Sequence, residues 1–282
     1  MTINSICVCG AGTMGSGIAQ LSATAGFNTI LYELSEAILE KAKISIEKNL
    51  QILFEKNKIT PEEKEKIVQR IHFSNDLKRC RADVIIEAIV ENREAKIALF
   101  NQLAEINDDK TIFASNTSSL SITGIASKVL HPHRVVGMHF FNPAPLMKLV
   151  EVVKTGKTPG EVVAIIVDFA KRLGKMAVVC KDSPGFIVNR VARPFYIESL
   201  RLVEEEKVDF ALIDQLLEET GFKMGPFKLM DLIGNDVNYA VSNSVYEQLD
   251  QPERLKPSYI QKEKVERQEL GKKSGRGYYD YN

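Results

Sequence analysis

The chain predicts an α/β domain built on a mostly parallel sheet, followed by a smaller all-α domain, and three observations carry that prediction. A strand, a glycine turn and a helix open the sequence. Strand and helix signals then alternate as far as Cys180, and beyond Asp182-Ser183-Pro184-Gly185 helical periodicity takes over. The boundary is therefore set with residues 1–183 in the first domain and 184–282 in the second. A length of 282 residues suits two domains, at roughly 100–200 residues each.

The first apolar run (Ile3, Ile6, Cys7, Val8, Cys9) is short and β-branched, and reads as a buried strand. It breaks into Gly10-Ala11-Gly12-Thr13-Met14-Gly15, after which Ile18, Leu21, Ser22 and Ala25 repeat at helical spacing up to Gly26. The first glycine permits a tight turn, the second lets a pyrophosphate approach the backbone, and the third lets the helix pack on the strand. Free N–H groups and the positive end of the helix dipole would then face phosphates. A kinase glycine loop has the same spacing, but the downstream His-Arg-Asp and Asp-Phe-Gly sequences it needs do not occur here. A Rossmann-like reading requires instead a second strand ending in an acid. Asn28 to Tyr32 supplies the strand, and Glu33, 18 positions past Gly15, the acid. A carboxylate there accepts the ribose hydroxyls and repels a 2′-phosphate, which favours NAD over NADP. The plain alternative for Glu33 is a solvated carboxylate at a strand end.

Ser35 to Lys56 carries Ile38, Leu39, Ala42, Ile46, Leu50 and Leu53 at spacings of three and four, the pattern of a long amphipathic helix. Lys41, Lys43, Lys48 and Lys56 line its polar side, either as a solvated face or as contacts to a nucleotide-like substrate. Thr60-Pro61-Glu62-Glu63 opens another helix, with Thr60 as its cap. The remaining strand candidates are Ile71 to Phe73, Val84 to Glu87, Thr111 to Ala114, Arg134 to Met138, Lys148 to Val153 and Met176 to Cys180; helices at Arg93 to Ile106 and Glu161 to Leu173 separate several of them. In the second domain helices are expected over Asn189 to Glu205, Asp209 to Thr220, Met230 to Gln248 and Pro257 to Gln268, with a structured basic loop from Gly271 to Tyr279.

Composition narrows the function. Lys plus Arg equals Asp plus Glu at 37 each, so no global field favours nucleic acid or a membrane surface. Apolar stretches fall short of the roughly 20 residues of a membrane helix, and the first strand begins too early to leave room for a signal peptide. The four cysteines, Cys7, Cys9, Cys80 and Cys180, lack C-x-x-C spacing and read as small buried hydrophobes in a reducing, cytoplasmic compartment. With four histidines and no cluster at ligand spacing, no metal is expected.

The chemistry is sought at the carboxyl edge of the sheet, where open parallel sheets bind ligands. His139 follows an apolar strand, and twelve residues on Glu151 lies within the next apolar run, where an acid is costly unless partnered. Together they suggest a carboxylate that orients an imidazole and stabilises its protonated form, as alcohol oxidation by NAD requires. The structural alternative is a capping or core histidine. Ser115-Asn116-Thr117-Ser118-Ser119 points to the same edge, and its hydroxyls and amide are candidates to hold the nicotinamide ribose and substrate oxygen. Asn189 opens the first helix of the second domain; Ser118 and Asn189 also have plain readings as helix caps.

The segments GAGTMGSGIAQ (10–20), EAIVEN (87–92), FASNTSSL (113–120), GMHFFNPAPLMKLVEVV (137–153), DSPGFIVNR (182–190) and KSGRGYYDY (273–281) resemble the L-3-hydroxyacyl-CoA dehydrogenase family nearly end to end, its short-chain bacterial 3-hydroxybutyryl-CoA branch most closely. The resemblance implies reversible hydride exchange between NAD(H) and C3 of a short 3-hydroxyacyl-CoA. It makes His139 the catalytic base and Glu151 its partner, with Ser118 and Asn189 positioning the substrate. It implies cofactor contacts at Glu33, Glu91, Lys96, Ser118, Asn142 and Lys273, and a homodimer formed through the all-α domain, with substrate held between domains. Glu33 stands where relatives often carry aspartate, and Ala42 where the CoA-contacting helix carries serine; Lys48 and Lys56 are the CoA candidates that remain. The rival readings are a dehydrogenase of a free hydroxy acid or sugar derivative, and a noncatalytic NAD-binding protein.

Overall fold

Strand and helix alternate from the start of the chain in the computed structural model, which describes residues 1–281. In chain order the elements of the first unit are β1 (Ser5–Cys9), α1 (Thr13–Thr24), β2 (Asn28–Tyr32), α2 (Glu36–Glu55), α3 (Pro61–Gln69), β3 (Ile71–Ser74), β4 (Val84–Glu87), α4 (Arg93–Ile106), β5 (Ile112–Ser115), α5 (Ile122–Ala126), β6 (Val135–Phe140), β7 (Leu149–Lys154), α6 (Gly160–Arg172) and β8 (Met176–Lys181). This unit spans Met1–Asp182, and a second compact unit begins at Ser183.

The eight strands form one sheet in the order β3-β2-β1-β4-β5-β6-β7-β8. Neighbours from β3 across to β6 are parallel, because helical or long connections return the chain to the same edge. The link from β6 to β7 is the short loop 141–148, too short for a crossover, so β7 turns back antiparallel and sets His139 directly opposite Glu151. Strand order reverses at β1, which places the crevice for a ligand beyond the carboxyl ends of β1 and β4. β1 and β4 are buried on both faces, which accounts for their unbroken apolar runs. Ile6, Val8, Ile86, Ala114, Val136 and Val150 form the sheet's share of the core, against Ile18 of α1 and Ile166 and Phe169 of α6.

The caps are written in the sequence. Ser35 accepts from the Ile38 N–H at 3.4 Å, and Thr60 and Glu63 exchange hydrogen bonds in a capping box ahead of α3. β6 runs further than expected and takes in His139 and Phe140, because the pairing with β7 extends the ladder.

The second unit contains α7 (Val188–Glu206), α8 (Phe210–Glu219), α9 (Pro226–Ile233), α10 (Asn235–Gln248) and α11 (Tyr259–Glu266). The single helix expected over Met230 to Gln248 is two. Gly234 adopts φ +106°, outside any helix, and divides α9 from α10. The helix expected over Pro257 to Gln268 is shorter at both ends, with Ser258 as its cap. Tyr196, Leu200, Ile213, Phe227 and Met230 make the core of this unit. The basic tail is structured: Asp231 accepts from the backbone N–H groups of Tyr278 and Tyr279 at 3.0 Å each. Among the described residues no helix is long and apolar enough to cross a membrane.

Candidate active site

Two glycines of the first turn, Gly10 and Gly15, answer separate steric demands. Gly10 has φ +100°, and a Cβ on it would sit 2.5 Å from the Ala88 carbonyl oxygen. A Cβ on Gly15 would fall 1.7 Å from the Gly10 oxygen, so α1 can approach the turn only without a side chain there. Around Gly12 nothing lies within 4 Å of such an atom, which leaves open space at the N-terminus of α1. Gly12 is the N-cap, and no side chain caps the helix. Glu33, at the end of β2, accepts from the Ala11 N–H at 3.0 Å and the Ser35 N–H at 3.2 Å, which holds its carboxylate against this turn. An open glycine, an uncapped helix start and an adjacent acid suit a dinucleotide carrying free ribose hydroxyls.

Beyond the ends of β4 and β5 lies a polar network that single-residue reading missed. Lys96 on α4 is only 1% exposed, and its ammonium lies 2.5 Å from Glu87 and 3.1 Å from Glu91. Ser115 donates its hydroxyl to Glu87 at 2.7 Å. Glu91 accepts from the hydroxyls of Thr117 and Ser119 and from the Ser118 N–H. Burial pushes the Glu87 carboxyl above its ordinary range against the pull of Lys96. Burial acts on Glu91 as well, but there Lys96 and Thr117 outweigh it and hold the carboxyl low. Lys96 thus meets both acids with one ammonium. It fixes two carboxylates, and through Glu91 the segment that carries Ser118. The signal for this lay in the spacing of Glu87, Glu91 and Lys96, which a strand end and the first turn of α4 fold together.

His139 and Glu151 are brought into contact. They occupy paired positions on β6 and β7, where opposed side chains share a face. The imidazole Nδ1 lies 2.7 Å from Glu151 Oε2, with the histidine 6% and the acid 0% exposed. A carboxylate at Nδ1 leaves Nε2 as the nitrogen that can exchange a proton with a substrate. Phe141 packs against the imidazole at 4.6 Å between centroids. The amide of Asn116 also serves the scaffold: its Oδ1 accepts from the Phe140 N–H at 2.9 Å and prolongs the ladder between β5 and β6 by one rung.

Asn142, exposed, opens the loop that follows, and Ala144 and Pro145 in that loop pack over Gly17 of α1. Lys175, absent from the sequence reading, is 7% exposed and donates to the carbonyls of Ala144 at 2.7 Å, Met147 at 2.8 Å and Pro145 at 3.3 Å. Burial lowers its pKa. One buried ammonium thus gathers three carbonyls and holds the loop behind His139.

Lys48 and Lys56 stand exposed on α2 and at its C-cap. The cavity between α2 and α3, about 590 Å³, is lined by Glu47, Gln51, Phe54, Lys64 and Val68 among others, and includes neither lysine. In the second unit, Asn189 lies inside the first turn of α7, whose N-cap is Ile187, and its carbonyl accepts from Arg193 Nε at 3.0 Å. Lys273 pairs with Asp236 at 2.5 Å. Of the four cysteines expected to act as small buried hydrophobes, Cys180 is only half buried, while Cys7, Cys9 and Cys80 are buried together, their sulfurs within 4.8 Å of one another. Spacing along the chain could not show this, because Cys80 comes from a distant turn.

A parallel sheet with a glycine turn at its switch point, and a histidine–carboxylate pair on the same sheet, define a dinucleotide-dependent dehydrogenase with a helical second domain. The chain belongs to the 3-hydroxyacyl-CoA dehydrogenase family: the NAD binding domain of that family matches residues 5–183 and its C-terminal domain residues 185–281. It is 45% identical to the 3-hydroxyadipyl-CoA dehydrogenase of Escherichia coli, over 100% of this chain and 60% of that protein, so the chain spans about three-fifths of that relative's length. It is 41% identical to the mitochondrial hydroxyacyl-coenzyme A dehydrogenase of Sus scrofa, over 99% of this chain and 91% of the relative. The crystal structure of (S)-3-hydroxybutyryl-CoA dehydrogenase from Ralstonia eutropha superposes with a TM-score of 0.95 at 35% identity, each chain covered in full.

Proposed function

We propose that the protein catalyses reversible, NAD-dependent oxidation of a short-chain (S)-3-hydroxyacyl-CoA, 3-hydroxybutyryl-CoA being the reference substrate, to the 3-oxoacyl-CoA. The observation that carries this reading is the 2.7 Å contact between His139 and a fully buried Glu151 on the sheet that holds the glycine turn. Gly10 to Gly15 would hold the pyrophosphate and Glu33 the adenosine ribose. Glu91, Lys96, Ser118, Asn142 and Lys273 take the remaining cofactor contacts. When bound, NAD supplies the hydride acceptor.

The chain's own part is proton handling. His139 Nε2 takes the proton of the 3-hydroxyl as C3 is oxidised, and Glu151 stabilises the imidazolium that results. In the reducing direction the imidazolium returns that proton to the nascent alkoxide. Ser118 and Asn189 orient the oxygen at C3 and the thioester, and Lys48 and Lys56 meet the phosphates of CoA. We place the enzyme in the cytoplasm as a homodimer formed by the second unit, where Val191, Leu202, Leu212, Leu216 and Phe222 are apolar and exposed.

One assay tests the reading: oxidation of NADH, then NADPH, with acetoacetyl-CoA and with free acetoacetate at equal concentration. Rapid turnover confined to NADH and the thioester is expected. Equal rates with the free acid would overturn the CoA assignment, and tight NADH binding without turnover would leave a noncatalytic dinucleotide-binding protein.

A further inference from the structure

Cys7 and Cys9 lie two residues apart on β1 and so project from the same face, with their sulfurs 3.8 Å apart. Cys80 reaches them from the end of a short 3₁₀ turn, Leu77–Arg79, between β3 and β4, and all three sulfurs fall within 4.8 Å of one another. Each cysteine is 0% exposed. The hydrogen bonds of these sulfurs run to one another and to the Asp76 carbonyl, with no lysine or arginine among them. The catalytic proposal uses none of these groups.

Three convergent thiols suit a thiophilic centre, and the charge of the product decides which one. Three thiolates around Cu(I) leave two negative charges and around Zn(II) one, and an uncompensated buried charge is expensive. A trivalent centre bound by three thiolates is neutral. We propose that Cys7, Cys9 and Cys80 form a binding site for trivalent arsenic beneath the glycine turn. The step balances without an oxidant. Arsenous acid, As(OH)₃, loses its three hydroxyls as water; three S–H and three As–O bonds break while three As–S and three O–H bonds form. Access runs through the segment carrying Cys80, whose neighbour Arg79 is 77% exposed in its side chain, so uptake is slow and follows local opening. Cys9 directly precedes Gly10, and its carbonyl accepts from Ala88 N–H at 2.7 Å. Drawing the Cys9 sulfur inward would disturb the turn that receives the dinucleotide.

The test is anaerobic incubation of the reduced full-length protein with arsenite. A time-dependent mass gain of one arsenic less three hydrogens per chain is expected, with three sulfurs and no oxygen around arsenic by X-ray absorption, reversal by excess dithiol, and weaker NADH binding. Cys80→Ala should weaken uptake at least about tenfold, whereas Cys180→Ala should retain it. The coordination measured on the unsubstituted protein decides the matter even where the Cys80 variant does not fold. Arsenic bound through Cys180, a shell of two sulfurs and an oxygen, or uptake only after unfolding in urea would each overturn the site. A three-sulfur adduct with unchanged NADH affinity would overturn its coupling to the turn.

Discussion

Glu151 in the first unit and Asp231 in the second are both carboxylates with 0–1% exposure, yet they are held in opposite ways. Glu151 faces an imidazole at 2.7 Å, a partner that can gain or lose a proton. Asp231 faces donors that stay neutral: the N–H groups of Tyr278 and Tyr279, the Asn235 amide and the Tyr281 hydroxyl, each at 3.0 Å. Asp214 repeats the second pattern with the N–H groups of Phe227 and Lys228 and the Tyr279 hydroxyl. Burial makes both kinds of acid depend on their partners, but only a titratable partner turns that dependence into chemistry. The acids of the second unit act as latches that pull the carboxyl-terminal tail onto α8 and α9.

The comparison can be broken most decisively at His139. Replacing it with Ala should lower kcat for acetoacetyl-CoA reduction by about 10²–10⁴-fold while NADH affinity, followed by fluorescence titration, stays nearly unchanged. Activity close to that of the unsubstituted enzyme would remove His139 from its role.

Lys96 is the next test, since Lys96→Met leaves two carboxylates facing each other. A loss of about 3–5 kcal/mol in denaturant stability at neutral pH is expected. Its pH dependence follows from the two shifts. Glu91 titrates below its ordinary 4.5 in the folded chain, so its stabilisation is complete above that value and is lost as pH falls through the lower folded one. Glu87 is raised, so the cost of its charge grows as pH rises through its folded value and is absent in more acid solution. The penalty of Lys96→Met should accordingly shrink as pH falls and the two carboxyls take up protons. A pH-independent penalty would mean that Lys96 contributes packing alone.

Glu151→Gln and Asp231→Asn sharpen the contrast directly. The first should lower kcat and alter the pH dependence of kcat/KM with little change in folding. The second should cost about 1–3 kcal/mol of stability and leave the pH profile in place. An altered profile in both would collapse the distinction between proton partner and latch. Smallest is Tyr281→Phe, which removes one of the donors to Asp231 and should cost about 0.5–1.5 kcal/mol by thermal or urea unfolding.

Much of this was legible along the chain because it depends on local periodicity and steric exceptions. The glycine turn, the acid after β2, and the Ser35 and Thr60 caps involve residues close in sequence, and each is a specific answer to a backbone requirement. His139 and Glu151 stood out because a polar residue inside an apolar run calls for a partner. Other features gave no such signal. Lys96 resembles any lysine at a helix start until β4 and α4 fold its ammonium between two acids. Gly234 gives no warning in a periodic apolar pattern that it will take φ +106° and split a helix.

The sequence by itself determined most of the elements, the glycine turn and the residue types at the carboxyl edge of the sheet, since 3.6- and 2-residue periods and turn chemistry are properties of neighbours. Only the tertiary structure decided partners: the antiparallel register that seats His139 on Glu151, the ammonium of Lys175 gathering three carbonyls, and Cys80 meeting Cys7 and Cys9 across more than seventy residues of chain. Those contacts join segments far apart in sequence. Closing the chain between them costs entropy that packing of the whole sheet must outweigh, and no local pattern records which distant group will arrive.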